Sequence, residues 1–340
     1  MSQVQGPAIA VLGAGSWGTA LSWLLGGKGY CVRLWGRDQQ VAAAINARHR
    51  NPRYLSSVTL PDTVRASLDL AEALSGAQIV VLAVPCEAVA EVMEKARGAL
   101  TPGSLLVSAT KGLDPASGRL ASQIVAGSVP SFPREMLVVL SGPNLASEMV
   151  RRVPTATVVA SFSAEAALGA QETFADANLL RVYTSTDVLG VQLGGALKNI
   201  IALAAGICDG LGFGDNTKAT LVTRGLREMT RLGCVLGAEA ETFSGLSGVG
   251  DLFATCSSRE SRNWRVGFGL AQGRALADIL REMGMVAEGA PTTRAALGLA
   301  QQAGVEAPIT SEVHAVLFEG KPPARAVSDL MSRAPKSERA

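Results

Sequence analysis

"VLGAGSWGTALSWLL" (Val11–Leu25) crowds three glycines, Gly13, Gly15 and Gly18, between an apolar run and a helical pattern. Glycine costs backbone entropy in helices and strands, so the crowding needs a physical reason. Glycine clusters also mark ordinary turns. A G-x-G-x-x-G spacing that ends a strand and opens a helix has a more specific reading. Its first glycine makes the tight turn, its second lets the backbone approach a pyrophosphate, and its third lets helix and strand pack closely. Phosphates then meet N–H groups at the positive end of the helix dipole. The stretch predicts a strand–turn–helix that receives a dinucleotide.

Outward from it, β-rich runs alternate with helical patterns: "AIAVLG" (8–13), "CVRLW" (31–35), "QIVVLAVP" (78–85), "SLLVSAT" (104–110), "MLVVLSGP" (136–143), "TATVVAS" (155–161) and "LLRVY" (179–183). Most are continuously apolar, the signature of parallel strands covered by helices on both faces. Beyond about residue 187 the apolar residues fall at helical spacing, as in "KATLVTRGLREMTRLGCVLG". The expectation is an α/β fold, with a Rossmann-like doubly wound sheet over residues 1–186 and an all-α domain over 187–335.

The 340 residues are 48% apolar and 18% charged, with a formal net charge of +2. That length suits two domains with their own cores, and that composition a folded soluble chain. Balanced charge offers no basic field for nucleic acid. Cys31, Cys86, Cys208, Cys234 and Cys256 match neither a zinc spacing nor a disulfide framework. Reduced thiols in the cytoplasm and no metal site are expected. No basic region precedes an apolar stretch at the N-terminus, so no signal peptide is expected. Apolar runs such as Gln78–Pro85 are too short for a bilayer, so no membrane insertion is expected. The polar end "SRAPKSERA" (332–340) is expected to fray.

The choice of dinucleotide turns on the end of the second strand. An NAD site usually places an acidic residue about 20 residues after the glycines. "RLWGRD" offers Gly36 and Arg37 there. A guanidinium suits a 2′-phosphate, hence NADP; Asp38, one position on, keeps NAD open.

A dehydrogenase must also move a proton, because hydride addition to a carbonyl leaves negative charge on oxygen. His49 lies in a basic polar segment and His314 in a C-terminal helical pattern, so lysine is the next candidate. Burial or a second cation lowers a lysine's pKa toward neutrality. Lys111 in "SATKGL" follows a strand at its carboxyl end, where open α/β sheets bind ligands. Lys198 is the lone charge in "GVQLGGALKNIIALAAG" and shares a helix face with Gly190 and Gly194. A lysine snorkelling out of a core helix is the alternative. Asp251 in "SGVGDLFATC" stands among glycines and apolar residues; buried, it needs a partner, which Lys198 would supply. Arg259, Arg262 and Arg265, at i+3 spacing near a helix start, predict an anion site, with a solvated basic face as the alternative.

"VLGAGSWGTAL", "ATKGL", "LSGPNLASE", "GALKNIIALAAGICDGL", "SGVGDLFATCSSRESRN" and "VAEG" follow one another as in the NAD(P)-dependent glycerol-3-phosphate dehydrogenases of the bacterial type, which the chain resembles from about residue 8 to about residue 330. The resemblance implies reversible reduction of dihydroxyacetone phosphate to sn-glycerol 3-phosphate with NAD(P)H, feeding phospholipid synthesis. It also implies a cytoplasmic and commonly dimeric enzyme. By motif, Lys198 in "LKN" would be the catalytic proton donor and acceptor. Lys111 in "TKG" would touch substrate and cofactor. Gly142 and Asn144 in "SGPN" and Asp251 in "GDL" would line the substrate site, with Asn144 standing where the family has Thr or Ser. Ser261, Arg262 and Asn263 in "SRN" would hold the phosphate, Arg262 also reaching the cofactor. Ser16, Trp17, Arg37, Ala146, Val286 and Glu288 would line the cofactor beside Gly13, Gly15 and Gly18. Phosphate binding would hold the carbonyl in place for reduction.

Two other readings compete. A β-hydroxyacid dehydrogenase carries its asparagine at i+4 from a helical lysine, where this chain has Ala202. A dinucleotide sensor without catalysis would need no lysine in an apolar helix.

Overall fold

The computed structural model describes residues 7–101, 103–335 and 337–338. The residues before position 7, part of the stretch read for a signal peptide, and residues 336, 339 and 340 of the polar end lie outside it. The chain forms two compact units, Met1–Lys111 with Arg119–Gln192, and Gly112–Gly118 with Leu193–Ala340. A division after residue 186, as read from the sequence, does not include the Gly112–Gly118 excursion.

The first unit runs β1 (Ala8–Leu12), α1 (Ser16–Gly27), β2 (Cys31–Trp35), α2 (Gln39–Arg48), β3 (Val64–Ser67), α3 (Leu70–Leu74), β4 (Ile79–Leu82), α4 (Val89–Ala96), β5 (Leu105–Ser108), α5 (Ala121–Ser128), β6 (Leu137–Ser141), α6 (Ala146–Val150), β7 (Thr155–Ser161), α7 (Ala164–Phe174) and β8 (Leu180–Ser185). The strands form one sheet in the order β3-β2-β1-β4-β5-β6-β7-β8. Alternate residues of β1 feed its two faces. Ile9 and Val11 pack with Leu21, Leu25 and Phe174, whereas Ala10 and Leu12 pack with Val89, Met93 and Ile124. Helices therefore cover both sides, as continuously apolar strands require.

Two features depart from the sequence reading. β3, "VRAS", carries no apolar run; it is an edge strand whose Arg65 is exposed, so it leaves no continuous signature. The sheet is also not wholly parallel, because β7 runs antiparallel to β6. The intervening α6 has five residues, about 7–8 Å of rise, too short to carry the chain back along the sheet.

The second unit is helical: α8 (Val188–Gly210), which begins in the first unit, then α9 (Asp215–Val235), α10 (Ala240–Phe243), α11 (Asp251–Ser257), α12 (Arg262–Ala271), α13 (Leu276–Met283), α14 (Gly289–Gln302), α15 (Pro308–Phe318) and α16 (Pro323–Met331). A one-turn π-helix, Leu246–Gly250, leads into α11. The statement that apolar runs are too short for a bilayer is corrected by α8, which has the length and composition to cross one. Its apolar residues are buried in the fold instead, which makes it a core helix. α8 and α12 touch backbone to backbone: a Cβ on Gly206 would fall 2.0 Å from the Trp264 carbonyl oxygen. The Trp264 indole donates to Asp209 at the far end of α8 over 2.7 Å.

Candidate functional site

On the first unit, the three glycines separate into two kinds. Gly13 has φ +121, and a Cβ there would fall 2.5 Å from the Ala83 carbonyl oxygen. A Cβ on Gly18 would fall 1.8 Å from the Gly13 carbonyl oxygen. These two serve the fold. Gly15 has nothing of the protein within 4 Å of that position, so no internal contact requires glycine there. Ser16 opens α1, and Trp17 packs partly buried on the core with its indole Nε1 unpartnered among the described residues.

At the end of β2, Arg37 is exposed, its side chain 3.9 Å from Glu91. Asp38 is the N-cap of α2, accepting from the Gln40 and Val41 amides at 2.9 and 3.1 Å. Its other oxygen lies 3.5 Å from Arg53. The carboxylate that kept NAD open is thus committed to its own helix. Lys111 donates to the Gly142 carbonyl oxygen at 2.9 Å. The Asn144 side chain donates to the Ala156 carbonyl at 3.0 Å, tying the turn after β6 to β7, while its Oδ1 is buried without a partner among the described residues. Ala146 opens α6 and packs on the core.

On the second unit, Lys198 and Asp251 are 6% and 2% exposed and form a direct ion pair. The gap left by the glycine face of α8 holds protein: a Cβ on Gly194 would fall 2.4 Å from the Ser247 carbonyl oxygen. That approach of the π-turn is what carries Asp251 to Lys198. Thr255 completes the group. Its hydroxyl donates to the Asp251 carbonyl at 2.6 Å and accepts from Lys198 Nζ at 2.7 Å. Sequence reading missed Thr255, although it stands at i+4 from Asp251 on α11, a spacing that places both on one face. Neighbouring Cys256 is inert, its thiol pushed up to about 12 by burial.

Ser261 caps α12, accepting from the Trp264 amide at 3.2 Å. Arg262 is exposed as the first residue of that helix. The three-arginine face is corrected: Arg262 and Arg265 are on α12, but Arg259 precedes it. The Asn263 side chain is buried between Asn199 on α8 and Gly289 at the start of α14. Val286 is partly exposed and Glu288 takes the N-cap position of α14. The histidines serve locally. His49 ends α2 with φ 51 and lies 3.5 Å from Asp62, and His314 pairs with Glu319 at 2.9 Å.

A lysine held in an apolar helix by a carboxylate and a hydroxyl, on a chain that also carries a dinucleotide turn, suits carbonyl reduction. The sequence patterns of the NAD-dependent glycerol-3-phosphate dehydrogenase N-terminus and C-terminus match residues 8–167 and 187–328. This chain belongs to that family. It is an oxidoreductase of CH–OH groups that uses NAD or NADP. Among relatives of this dehydrogenase, the glycerol-3-phosphate dehydrogenase [NAD(P)+] of Geobacillus thermodenitrificans is 51% identical over 330 residues, covering 97% of this chain and 96% of its own. That of Chlorobium phaeobacteroides is 46% identical, covering 97% and 98%. The crystal structure of glycerol-3-phosphate dehydrogenase from Coxiella burnetii superposes with a TM-score of 0.92 at 38% identity, covering 96% of this chain and 99% of its own.

The residues present fit a dinucleotide. Gly15 leaves open the place a side chain would fill, Trp17 keeps a buried N–H donor without a partner among the described residues, and Gly15 is the N-cap of α1, next to the amides of its first turn.

Proposed function

We propose that this dehydrogenase reversibly reduces dihydroxyacetone phosphate to sn-glycerol 3-phosphate, prefers NADPH, and uses Lys198 as the proton donor. The observation that carries the reading is Lys198 itself: an ammonium buried in an apolar helix and held by Asp251 and Thr255. Those partners direct two of its N–H bonds and fix where the ammonium sits. When bound, the reduced nicotinamide supplies the hydride. Lys198 gives the C2 oxygen its proton and takes it back in the reverse direction. Asp251 and Thr255 keep the ammonium aimed. Arg262 and the first N–H groups of α12, the helix that Ser261 caps, hold the substrate phosphate. That binding takes no part in the chemistry and serves to position the carbonyl.

Residues 1–186 make the cofactor domain and 187–335 the catalytic domain. In the first, Gly13, Gly15 and Gly18 form the turn under the pyrophosphate, and Ser16, Trp17 and Ala146 line the cofactor. Arg37 reads the 2′-phosphate, a role favoured by the commitment of Asp38 to its helix cap. Lys111, Gly142 and Asn144 serve the substrate, Lys111 also the cofactor. In the second, Val286, Glu288 and Arg262 serve the cofactor. The enzyme works in the cytoplasm as a homodimer and supplies glycerophospholipid synthesis.

Initial rates of dihydroxyacetone phosphate reduction, measured with NADPH and with NADH, test the reading. Turnover with both and a higher kcat/KM for NADPH are expected. No turnover with either would overturn it, and a preference for NADH would overturn the role of Arg37.

A further inference from the structure

We infer that the Trp264 indole and the Asp209 carboxylate are a positioning pair. They hold the start of α12 in register with Lys198, and that register favours a phosphorylated ketone over its unphosphorylated counterpart. The inference rests on the placement of the substrate phosphate at the start of α12. Lys198 and Asp209 stand eleven residues apart on α8, about three helical turns, so both fall on one face. α12 lies against α8 through glycines. Besides the Gly206 contact with Trp264, a Cβ on Gly267 would fall 2.0 Å from the Leu203 carbonyl oxygen, and one on Gly210 would fall 2.9 Å from that of Phe268. Without side-chain ridges to interdigitate, such a seam sets how closely the helices approach but does little to fix their rotation or sliding.

A directional bond supplies what the seam lacks. Trp264 Nε1 donates to Asp209 Oδ2 at 2.7 Å, and Lys218, near the start of α9, holds Asp209 Oδ1 at 2.8 Å. The Trp264 ring is buried and stacks on Phe268, four residues on along α12, with centroids 5.0 Å apart. The indole is thus gripped by its own helix on one side and by α8 on the other. Trp264 is the third residue of α12, and its backbone N–H is the one that Ser261 caps. The N–H groups just before it, those of Arg262 and Asn263, point out of the helix end, where the phosphate is bound. The first-turn N–H groups of a helix have no partners within it, so the place of that turn depends on side-chain anchors. Loss of the Trp264–Asp209 bond would let the turn shift, so that a bound phosphate no longer brings the carbonyl to Lys198. An unphosphorylated ketone makes no use of the α12 start and gains nothing from its position.

The test is the ratio of kcat/KM for dihydroxyacetone phosphate to kcat/KM for dihydroxyacetone, both with saturating NADPH. It is measured on the wild-type enzyme, Trp264→Phe, Asp209→Ala and the double variant, each checked by thermal melting. Trp264→Phe keeps a stacked ring and removes the N–H donor. It should lower the ratio about threefold to tenfold, the loss of a hydrogen bond to a charged acceptor felt through the helix it anchors. Asp209→Ala should lower it about as much. The double variant should stay within about twofold of the weaker single variant, because both substitutions remove the same interaction. In all three, kcat/KM for dihydroxyacetone should stay within about twofold of wild type. If Asp209→Ala does not fold, Trp264→Phe decides alone. A folded Trp264→Phe with an unchanged ratio would overturn the inference. So would equal losses on both ketones, the sign of a merely structural role, or single losses that multiply in the double variant. A wild-type enzyme that prefers dihydroxyacetone phosphate, with variants that keep the preference, overturns the pair and leaves the phosphate site standing. A wild-type enzyme that reduces both ketones equally, or neither, would overturn the phosphate site at α12 and the inference with it.

Discussion

At the residue scale, the glycine triplet divides into two kinds. Gly13 and Gly18 are required by atoms of the protein, and Gly15 is not. Gly15 has φ −76, a value alanine adopts without strain. Gly15→Ala should therefore leave stability within about 0.5 kcal/mol of wild type, by urea unfolding, while NADPH binding weakens by tenfold or more. Equal losses of stability and affinity would make Gly15 a third structural glycine. Arg37 carries the parallel prediction for cofactor choice. Arg37→Ala should weaken NADPH far more than NADH, by about 1.5–3 kcal/mol of charge-assisted bonding, read as the change in the ratio of their Kd values. A ratio that does not move would remove Arg37 from the 2′-phosphate. The places of these residues, at the strand–helix turn and at the end of β2, were legible because those signals are local. The Lys198–Asp251 pair was legible for another reason: each is an isolated charge in apolar sequence and needs a partner. Thr255 and the Asn199–Asn263–Gly289 chain were not, since a hydroxyl or amide at such positions has many local partners and only the packed helices choose among them.

At the element scale, strands with continuous apolar runs announced themselves, and β3, short and half exposed, did not. The direction of β7 was hidden because antiparallel return depends on the length of α6, not on the composition of either strand. Helix ends show the same limit. α15 has no cap of its own; Glu228, from α9, accepts from the Ile309 and Thr310 amides at 2.8 and 2.9 Å and from the Thr310 hydroxyl at 2.6 Å. No local pattern predicts a cap supplied from eighty residues away. Burial raises the pKa of Glu228 above its ordinary 4.5, outweighing the three donors that favour the carboxylate. The sign follows: a folded pKa above the unfolded one gives stability that is full below 4.5 and falls as pH rises through the raised value. Glu228→Gln does not titrate. Denaturant unfolding at pH 5 and pH 8 should show the wild type losing stability relative to Glu228→Gln at the higher pH. A wild type that gains on the variant as pH rises would mean that the donors, not burial, govern this carboxylate.

At the scale of the whole molecule, the chain forms two compact units, and the alternation of strands followed by helices made that organisation readable from the chain. The seven-residue excursion Gly112–Gly118 was not readable, because it rests on tertiary bonds such as the Leu113 amide to Thr292 Oγ1 at 3.4 Å. The proposed role of Lys198 as proton donor is directly testable with one variant, Lys198→Ala. Its NADPH affinity and its rate of dihydroxyacetone phosphate reduction are to be measured together against wild type. Cofactor affinity should stay within about twofold, while turnover falls about 10²–10⁴-fold, the usual contribution of a positioned general acid. Turnover close to wild type in Lys198→Ala, with the protein folded and NADPH bound, would contradict the account.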